Sequence, residues 1–520
     1  MNRLLKVIMF SLVLSALISV SILTITAEEQ DPDIRIGVVP NAEQLTIGGE
    51  GNFSVINKET GEVIFSGTDD HVLAELDSTG TIQSNYRLQV SWTTSESSKN
   101  NWVEAAQAEG YATYVEDYNG GWRLFIGEFA PDAPWSDRND FRNEVIDKGL
   151  AGTDSFWKVV TINEGNSSVK LTFQNETVNL ENAVVLQSDD GIVSINGTRY
   201  RGLAEVGFNS SGTLAGINEL PVEEYLKGVV PRELPPVPYG ELEAQKSQAI
   251  AARTYTFANL GKRSSDGYDL LPTTSDQVYG GYDAEHPISS QAIEETKGVV
   301  ATYNDNLITA VYHSTSGGFT ANNEDVWSSG AVEYLRGVPD SERGEAPENV
   351  PDLSVFKNAA NSTSLRAVKN GDFESDWSKY HRWNFEWSSE EISQVLSGYY
   401  NTDVGEVYEI NVLERSDSGR VLEIEYVTEN GTFYEYKDRV RWSLPYITAD
   451  GIERILLSTL FYIEPVQHDD GTVGFKAYGG GWGHGVGLSQ TGAVGMAEKG
   501  SSYEDILKHY YQGIELDTLY

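Results

Sequence analysis

Four stretches of the chain concentrate the residue types that can do chemistry: PRELPP (231–236), which carries Glu233, YDLLPTTSDQVYGGY (268–282), VYHSTSGGFTANNEDVW (311–327) and YGGGWGHGVGLSQTGA (478–493). HSTSGG suggests serine hydrolysis, but His313 and Ser314 are neighbours and would face opposite ways on a strand. No G-x-S-x-G elbow exists to expose a serine nucleophile. There are only 7 histidines, none paired at helical zinc spacing, and no cysteine, which excludes metallohydrolase motifs and thiol nucleophiles. The glycine-rich run lacks the Gly-Lys-Ser/Thr of a phosphate loop. Its glycines, from Gly479 to Gly487, mark backbone that must turn sharply or be approached closely, with His484 aimed into a cavity. What remains is carboxyl chemistry in a groove rich in glycine, serine and aromatic rings, which suits a sugar polymer. Glu233 stands on a proline-bracketed bend; taken alone, such a glutamate reads as a solvated loop carboxylate.

Helices and short strands must hold these stretches in place. ELEAQKSQAIAARTYTFANLG, from Glu241, has no internal Pro or Gly and predicts a helix closed by Gly261. QAIEETKG ends the same way at Gly298. In SSYEDILKHYYQG, Ser501 and Glu504 are spaced as a capping box, and Tyr503, Ile506, Leu507, Tyr510 and Tyr511 follow helical spacing as core residues. Residues 33–67 and 155–217 read as β-branched strands split by turn residues. Between them, residues 85–150 run strand, helix closed by Gly110, strand, strand, helix, a self-contained α+β unit.

Composition limits the partners. The 520 residues include 78 acidic and 37 basic side chains, a formal charge of −41. Such a field repels nucleic acid and anionic lipid. It fits an extracytoplasmic protein of a salty or alkaline habitat, or simple solubility. At the N-terminus Arg3 and Lys6 precede an apolar run from Val7 to Leu23 and a small-residue exit at Thr26-Ala27, the layout of a secretory signal over residues 1–27. The run also approaches spanning length, so an uncleaved anchor is the alternative. An exported chain without cysteine points to a bacterial cell envelope.

The unit at 85–150, through AEGYATYV (108–115) and GWRLFIGEF (121–129), resembles the SPOR domain, which implies binding to glycan strands stripped of peptides. From Glu219 to the C-terminus the chain resembles the SpoIID/LytB family, through ELPVEEYLKGVVPREL, EAQKSQAIAARTYTFA, YDLLPTTSDQVYGG, KGVVATYNDNLITAVYHSTSGGFT, YLRGVPD and GGGWGHGVGLSQTGAVGMAEKGSSYEDILKHYYQG. The expected architecture is α+β and multidomain: a β-rich N-terminal part (33–84), a βαββα insert (85–150) and a SpoIID-type domain (155–520) with several helices lining a groove.

The resemblance implies a lytic transglycosylase that cleaves peptide-free glycan between MurNAc and GlcNAc with 1,6-anhydroMurNAc formation, in sporulation or wall turnover. The noncatalytic alternative is a glycan-binding enhancer of an N-acetylmuramoyl-L-alanine amidase. Glu233 maps onto the family's catalytic glutamate, its pKa expected to be raised by Leu234 and the surrounding prolines and opposed by Arg232. Lys246, Gln248, Tyr279, His313, Ser314, Ser316, His484 and Gln490 match the groove positions that would bind sugar, with Trp327 and Trp482 as further ring faces. Arg253 is expected to bind backbone or a carboxylate structurally. Where some relatives carry metal-binding Cys and His, this chain has Leu271, Ser275 and Asp276, so no metal or other cofactor is expected.

Overall fold

In Ser168–Phe173 (SVKLTF) the residues Val169, Leu171 and Phe173 are buried and those between them are not, the period-two pattern of a strand with one face on a core. Strands of this kind build the first half of the protein. The structure is a computed structural model describing residues 31–341 and 378–520, apart from 80, 119–120, 154, 165–166, 449–450 and 470, together with Ser354, Phe356, Lys357 and Phe373. The apolar N-terminal segment expected as a signal or anchor lies outside the described residues, and among the described residues no helix is long and apolar enough to cross a membrane.

The first layer uses β1 (Asp33–Ala42), β2 (Gln44–Gly49), β3 (Asn52–Asn57), β4 (Val63–Thr68) and β5 (His71–Ser78). After the insert it resumes with β10 (Ser168–Phe173), β11 (Glu176–Leu180), β12 (Val184–Ser188), β13 (Ile192–Ile195), β14 (Thr198–Arg201), β15 (Leu203–Phe208) and β16 (Leu214–Pro221). These form two six-stranded antiparallel sheets, β1-β16-β15-β12-β3-β4 and β11-β10-β5-β2-β13-β14, which share one apolar core.

The insert comprises β6 (Thr81–Thr93), α1 (Glu96–Ala108), β7 (Thr113–Tyr118), β8 (Gly121–Phe129), α2 (Trp135–Asp147) and β9 (Phe156–Glu164). Its sheet order, β7-β8-β6-β9, is that of a ferredoxin-like split βαβ unit, and Leu88, Ala106, Leu124, Ile126 and Val145 form its own core. The boundary read from sequence is therefore corrected. FWKVVTI, assigned to the flanking strands, is β9 and closes the insert as a βαββαβ unit, because Trp157 pairs opposite Leu88 and packs into the insert's core. The module leaves the large sheets along a two-stranded ribbon: β5 pairs with β10 up to Ser78 and Ser168, and the pairing continues as β6 with β9 from Thr81 and Glu164.

Three helices follow: α3 (Val222–Glu233), α4 (Leu242–Ala258) and α5 (Pro287–Glu295). α3 and α4 pack on the core of the two sheets through Tyr225, Leu226, Val229 and Ala249. They are pinned by a bidentate pair sealed from solvent, in which Arg253 donates from Nε and Nη2 to Glu223 at 2.7 Å each. Residues 378–479 add a third layer with a separate core. It holds α6 (Ser389–Tyr400, opened by a Ser388/Glu391 capping box), the sheet of Val407–Arg415, Val421–Thr428 and Gly431–Tyr436, and strands that lead into the glycine-rich loop. The domain expected over 155–520 therefore contains this layer as a part with its own core. Finally α7 (Gln490–Glu498) and α8 (Tyr503–Tyr510) pack against α4. The capping box of α8 is Ser502/Asp505 and not Ser501/Glu504: the Ser502 hydroxyl accepts from the Asp505 amide and the Asp505 carboxylate accepts from the Ser502 amide. Residues Asp33–Leu519 form one compact unit.

Candidate active site

Glu233 is the last residue of α3, not part of a loop bend. Leu234 precedes Pro235, whose ring disfavours the helical region for the residue before it, and Leu234 accordingly takes φ −123° and ψ 84°. The helix must stop at the glutamate, which places a carboxyl group at a helix C-terminus, where the helix dipole disfavours negative charge.

The segment 272–281 lies against this helix end. Gly228 of α3 permits the contact, since a Cβ there would lie 2.5 Å from the Tyr279 ring, and its carbonyl accepts from the Gly280 amide at 3.0 Å. The segment delivers the Val278 amide to Glu233 Oε1 at 2.5 Å. A short parallel pair, Tyr312–His313 with Leu488–Ser489, brings the other two donors. The Tyr312 phenol and the Gln490 amide both hydrogen-bond the Glu233 carboxyl group. Gly487 lets the chains approach so closely, with φ +71° and a hypothetical Cβ only 2.2 Å from the Val311 carbonyl oxygen.

Each donor is itself held. Gln277 Nε2 donates to the Tyr312 hydroxyl at 3.1 Å, while its Oε1 accepts from Thr256 (2.9 Å) and Tyr225 (3.2 Å). Gln490 Nε2 also donates to Gln248 Oε1 at 3.1 Å. Burial pushes the Glu233 carboxyl up to about 7, against hydrogen bonds from Val278, Gln490 and Tyr312 and, last, the charge of the exposed Arg232. Burial, together with the nearby Glu233, holds the Tyr312 phenol well above its usual range, so it stays a neutral donor. The result is a single carboxyl group that exchanges a proton near neutrality inside a preorganised set of donors.

The residues expected to bind sugar divide into three groups. Gln490 and Gln248 stand in this network. His313, Ser314 and His484 flank it: His313 Nδ1 meets the Val486 carbonyl at 3.1 Å, the Ser314 carbonyl accepts from the Thr491 amide at 3.0 Å, and the His484 ring lies 5.0 Å from Trp327. Trp482, 40% exposed, packs against Tyr380 with the ring centroids 4.3 Å apart and the planes tilted by 48°.

The third group is placed elsewhere. Lys246 is two residues from Gln248, about 200° around the helix, and its ammonium pairs with Glu243 (2.9 Å) and Glu295 (2.8 Å). Tyr279 is a core residue whose hydroxyl donates to the buried Asn218 at 2.8 Å. Ser316 is fully buried and donates to Asp340 at 2.7 Å. Tyr312, Gln277 and Val278 were missed as site residues although they lie inside the quoted motifs. The signal was their adjacency to matched positions, since a tyrosine, a glutamine and a backbone amide carry no chemical signature of their own.

Burial pushes the His484 imidazole down to about 4. Its Nδ1 accepts from the Val486 amide at 3.1 Å, and the backbone of Tyr312 is a second partner. Neutral His484 therefore braces the strand that carries Tyr312. Between pH 6.5 and 4 the unfolded chain binds more protons here than the folded one, so stability is lost as pH falls through that window. His484→Gln is expected to flatten the acid limb of the stability profile by about 3 kcal/mol, checked by urea unfolding between pH 4 and 7. An unchanged acid limb would contradict the assignment.

Asp276, beside Gln277, is held by Lys262 (2.5 Å) and Arg263 (3.0 Å) and accepts from the Leu271 amide at 2.9 Å. Among the described residues no group of His, Asp and Glu side chains has the geometry to hold a metal.

A model described as stage II sporulation protein, SpoIID, matches residues 210–303, the stretch that contains α3, α4, α5 and the 272–281 segment. The amidase enhancer of Bacillus subtilis strain 168 is 34% identical over 312 residues, covering 56% of this chain and 40% of that protein. The stage II sporulation protein D of Bacillus amyloliquefaciens is 29% identical over 315 residues, covering 58% of this chain and 75% of that protein. The chain is similar to SpoIID-type proteins over the segment that holds Glu233. It thus spans well under half the length of the amidase enhancer. The segment matched by the SpoIID model contains Glu233, Gln248, Gln277 and Val278, whereas Tyr312 and Gln490 lie beyond it. Residues 321–487, which include the third layer, match a domain of unknown function, DUF8618. Among solved structures, the peptidoglycan binding domain of the Bacillus subtilis cell wall lytic enzyme CwlC overlaps 17% of this chain at 17% identity with a TM-score of 0.12, a likeness too low to carry an argument.

Proposed function

We propose that the protein is an exported lytic transglycosylase that acts on peptide-free peptidoglycan glycan, with Glu233 as its single acid and base. The observation that carries this reading is the carboxyl group poised at about 7 and gripped by three donors. Protonated Glu233 gives its proton to the oxygen linking MurNAc C1 to GlcNAc C4, and the C1–O bond breaks. The C6 hydroxyl of the same MurNAc adds to C1, and its proton returns to the Glu233 carboxylate. One glycosidic bond is exchanged for the 1,6-anhydro bond, no water is consumed, and the acid is regenerated. A hydrolase of the inverting or retaining kind needs a second carboxylate for water activation or nucleophilic attack; this exchange does not. Val278, Tyr312 and Gln490 stabilise the carboxylate formed midway, and Gln248 and Gln277 orient those donors.

The exposed Trp482 ring and the half-buried Tyr380 ring beside it suit the apolar faces of sugars. The split βαβ insert suits the SPOR reading of a second contact with the same polymer. The experiment is mass analysis of products from purified, peptide-free glycan: anhydro-MurNAc ends are expected, and reducing MurNAc ends or no products would overturn the reading. The similarity to an amidase enhancer supports a second role, glycan binding that stimulates an amidase. Stimulation by a chain with no anhydro products would favour that role alone.

A further inference from the structure

Between the insert and the third layer lies a cleft of about 510 Å³, within the size range of sites for small ligands. One wall is α2 with the start of β9; the other is α6 with the strand Gly431–Tyr436. Its charge is opposite to that of the chain. Arg138, Arg142 and Arg439 line it against one carboxylate, Glu435, in a protein of net charge −41.

Carbonyls and rings hold two of the three guanidinium groups. Arg142 donates to the backbone oxygens of Ser155 (2.9 Å) and Thr153. Arg138 donates to the Ala133 oxygen at 3.3 Å and lies over the Tyr86 ring at 4.0 Å. Arg439 donates to the Tyr399 hydroxyl at 2.9 Å, with Glu435 at 3.4 Å. The cleft therefore retains an excess of positive charge.

It is also lined with rings. Trp135 packs 6.1 Å from Tyr400, and Tyr434 stands 41% exposed. Two lining residues, Ser155 and Trp157, hold buried hydrogen-bonding atoms, Oγ and Nε1, that have no partner among the described residues. Buried polar atoms are nearly always paired, so these two favour an occupant with acceptor oxygens.

Cations, aromatic faces and unpaired donors together fit a sugar that carries a carboxylate. We infer that this cleft binds the muramyl residues of a glycan strand through their free lactyl carboxylates, an inference that rests on the glycan reading above. With a peptide attached, the lactyl group is an uncharged amide; removal of the peptide restores the carboxylate that the arginines recognise.

The test uses the full chain carrying Glu233→Gln, so that no strand is cut during titration. Calorimetry compares a peptide-free GlcNAc–MurNAc tetrasaccharide with chitotetraose, which has the same rings and no lactyl carboxylates. The muramyl sugar is expected to bind about tenfold tighter or more, consistent with charge-assisted hydrogen bonds. Arg439→Gln and, separately, Tyr434→Ala at the rim should each remove most of that advantage while circular dichroism stays unchanged. Equal affinity for the two sugars, or an advantage that survives both substitutions, would overturn the inference. The product analysis of the unsubstituted protein is read separately. Anhydro products with no cleft dependence remove only the cleft, and cleft binding without products removes only the reaction.

Discussion

Glu233→Gln is expected to lower release of anhydro products from peptide-free glycan by about 10²–10⁴-fold, because the amide can neither give a proton to the leaving oxygen nor take one from the C6 hydroxyl. The wild-type protein supplies the matching pH signature. Its carboxyl group titrates at about 7, so kcat/KM should fall as pH rises above neutrality and the acid form is lost. The same group writes itself into stability. The folded pKa lies above the ordinary 4.5, so between those values the folded chain holds more protons than the unfolded one, and stability declines as pH rises through the window. Glutamine has no proton to lose, and the stability difference between pH 4.5 and 8 should shrink by about 3 kcal/mol. Chemical denaturation at the two pH values measures it. Turnover by the variant within tenfold of wild type, or an unaltered pH slope, would remove Glu233 from its role.

The largest effect on folding is expected at Arg253. Its guanidinium is sealed from solvent and bonded twice to Glu223, with the Val299 carbonyl oxygen at 3.0 Å and the Gly298 amide donating to Glu223 at 3.1 Å. Arg253→Ala leaves the Glu223 carboxylate buried and unbalanced, at a cost of about 3–5 kcal/mol. Removing both charges together, Arg253→Met with Glu223→Gln, should recover a good part of the loss, since the penalty lies in the orphaned charge more than in the broken pair. Arg199→Ala, which breaks an exposed pair with Asp283, should leave the unfolding midpoint unchanged. Urea unfolding of the three variants separates the cases, and a midpoint for Arg253→Ala equal to wild type would refute the argument.

Much of the site was legible because local chemistry and tertiary position agree there. The glycine closing α1 and the proline-free run of α4 announce elements whose ends the backbone alone decides. The structural role expected for Arg253 is also what the helix pair shows. Glu233 was legible only as a motif, since its pKa depends on Val278, Tyr312 and Gln490, which are 45 or more residues away in the chain. Lys246 and Tyr279 were misplaced for the same reason. Nothing at position 246 reveals that Glu295 waits on α5, and nothing at 279 shows that the ring turns from the groove to the core while the amide before it turns to the carboxylate. The third layer escaped because its strands, such as Val421–Thr428, pattern like any others, and only their shared core sets them apart. The fourth strand of the insert was assigned to its neighbours because pairing partners are not written into a strand's own residues.

The ribbon that joins the insert to the large sheets has a consequence for the history of the chain. Since β5 and β10 are already paired where the module departs, its two ends are a strand spacing apart, and closing the loop across them costs little chain entropy whether the module is present or replaced by a short turn. A single recombination at that hairpin tip adds or removes the whole unit without breaking a strand of either sheet or moving any residue that grips Glu233. The cleft against the third layer is different, because half of it belongs to the module. A chain without the insert would keep Glu233 and its donors and would lose the α2 and β9 wall of that cleft.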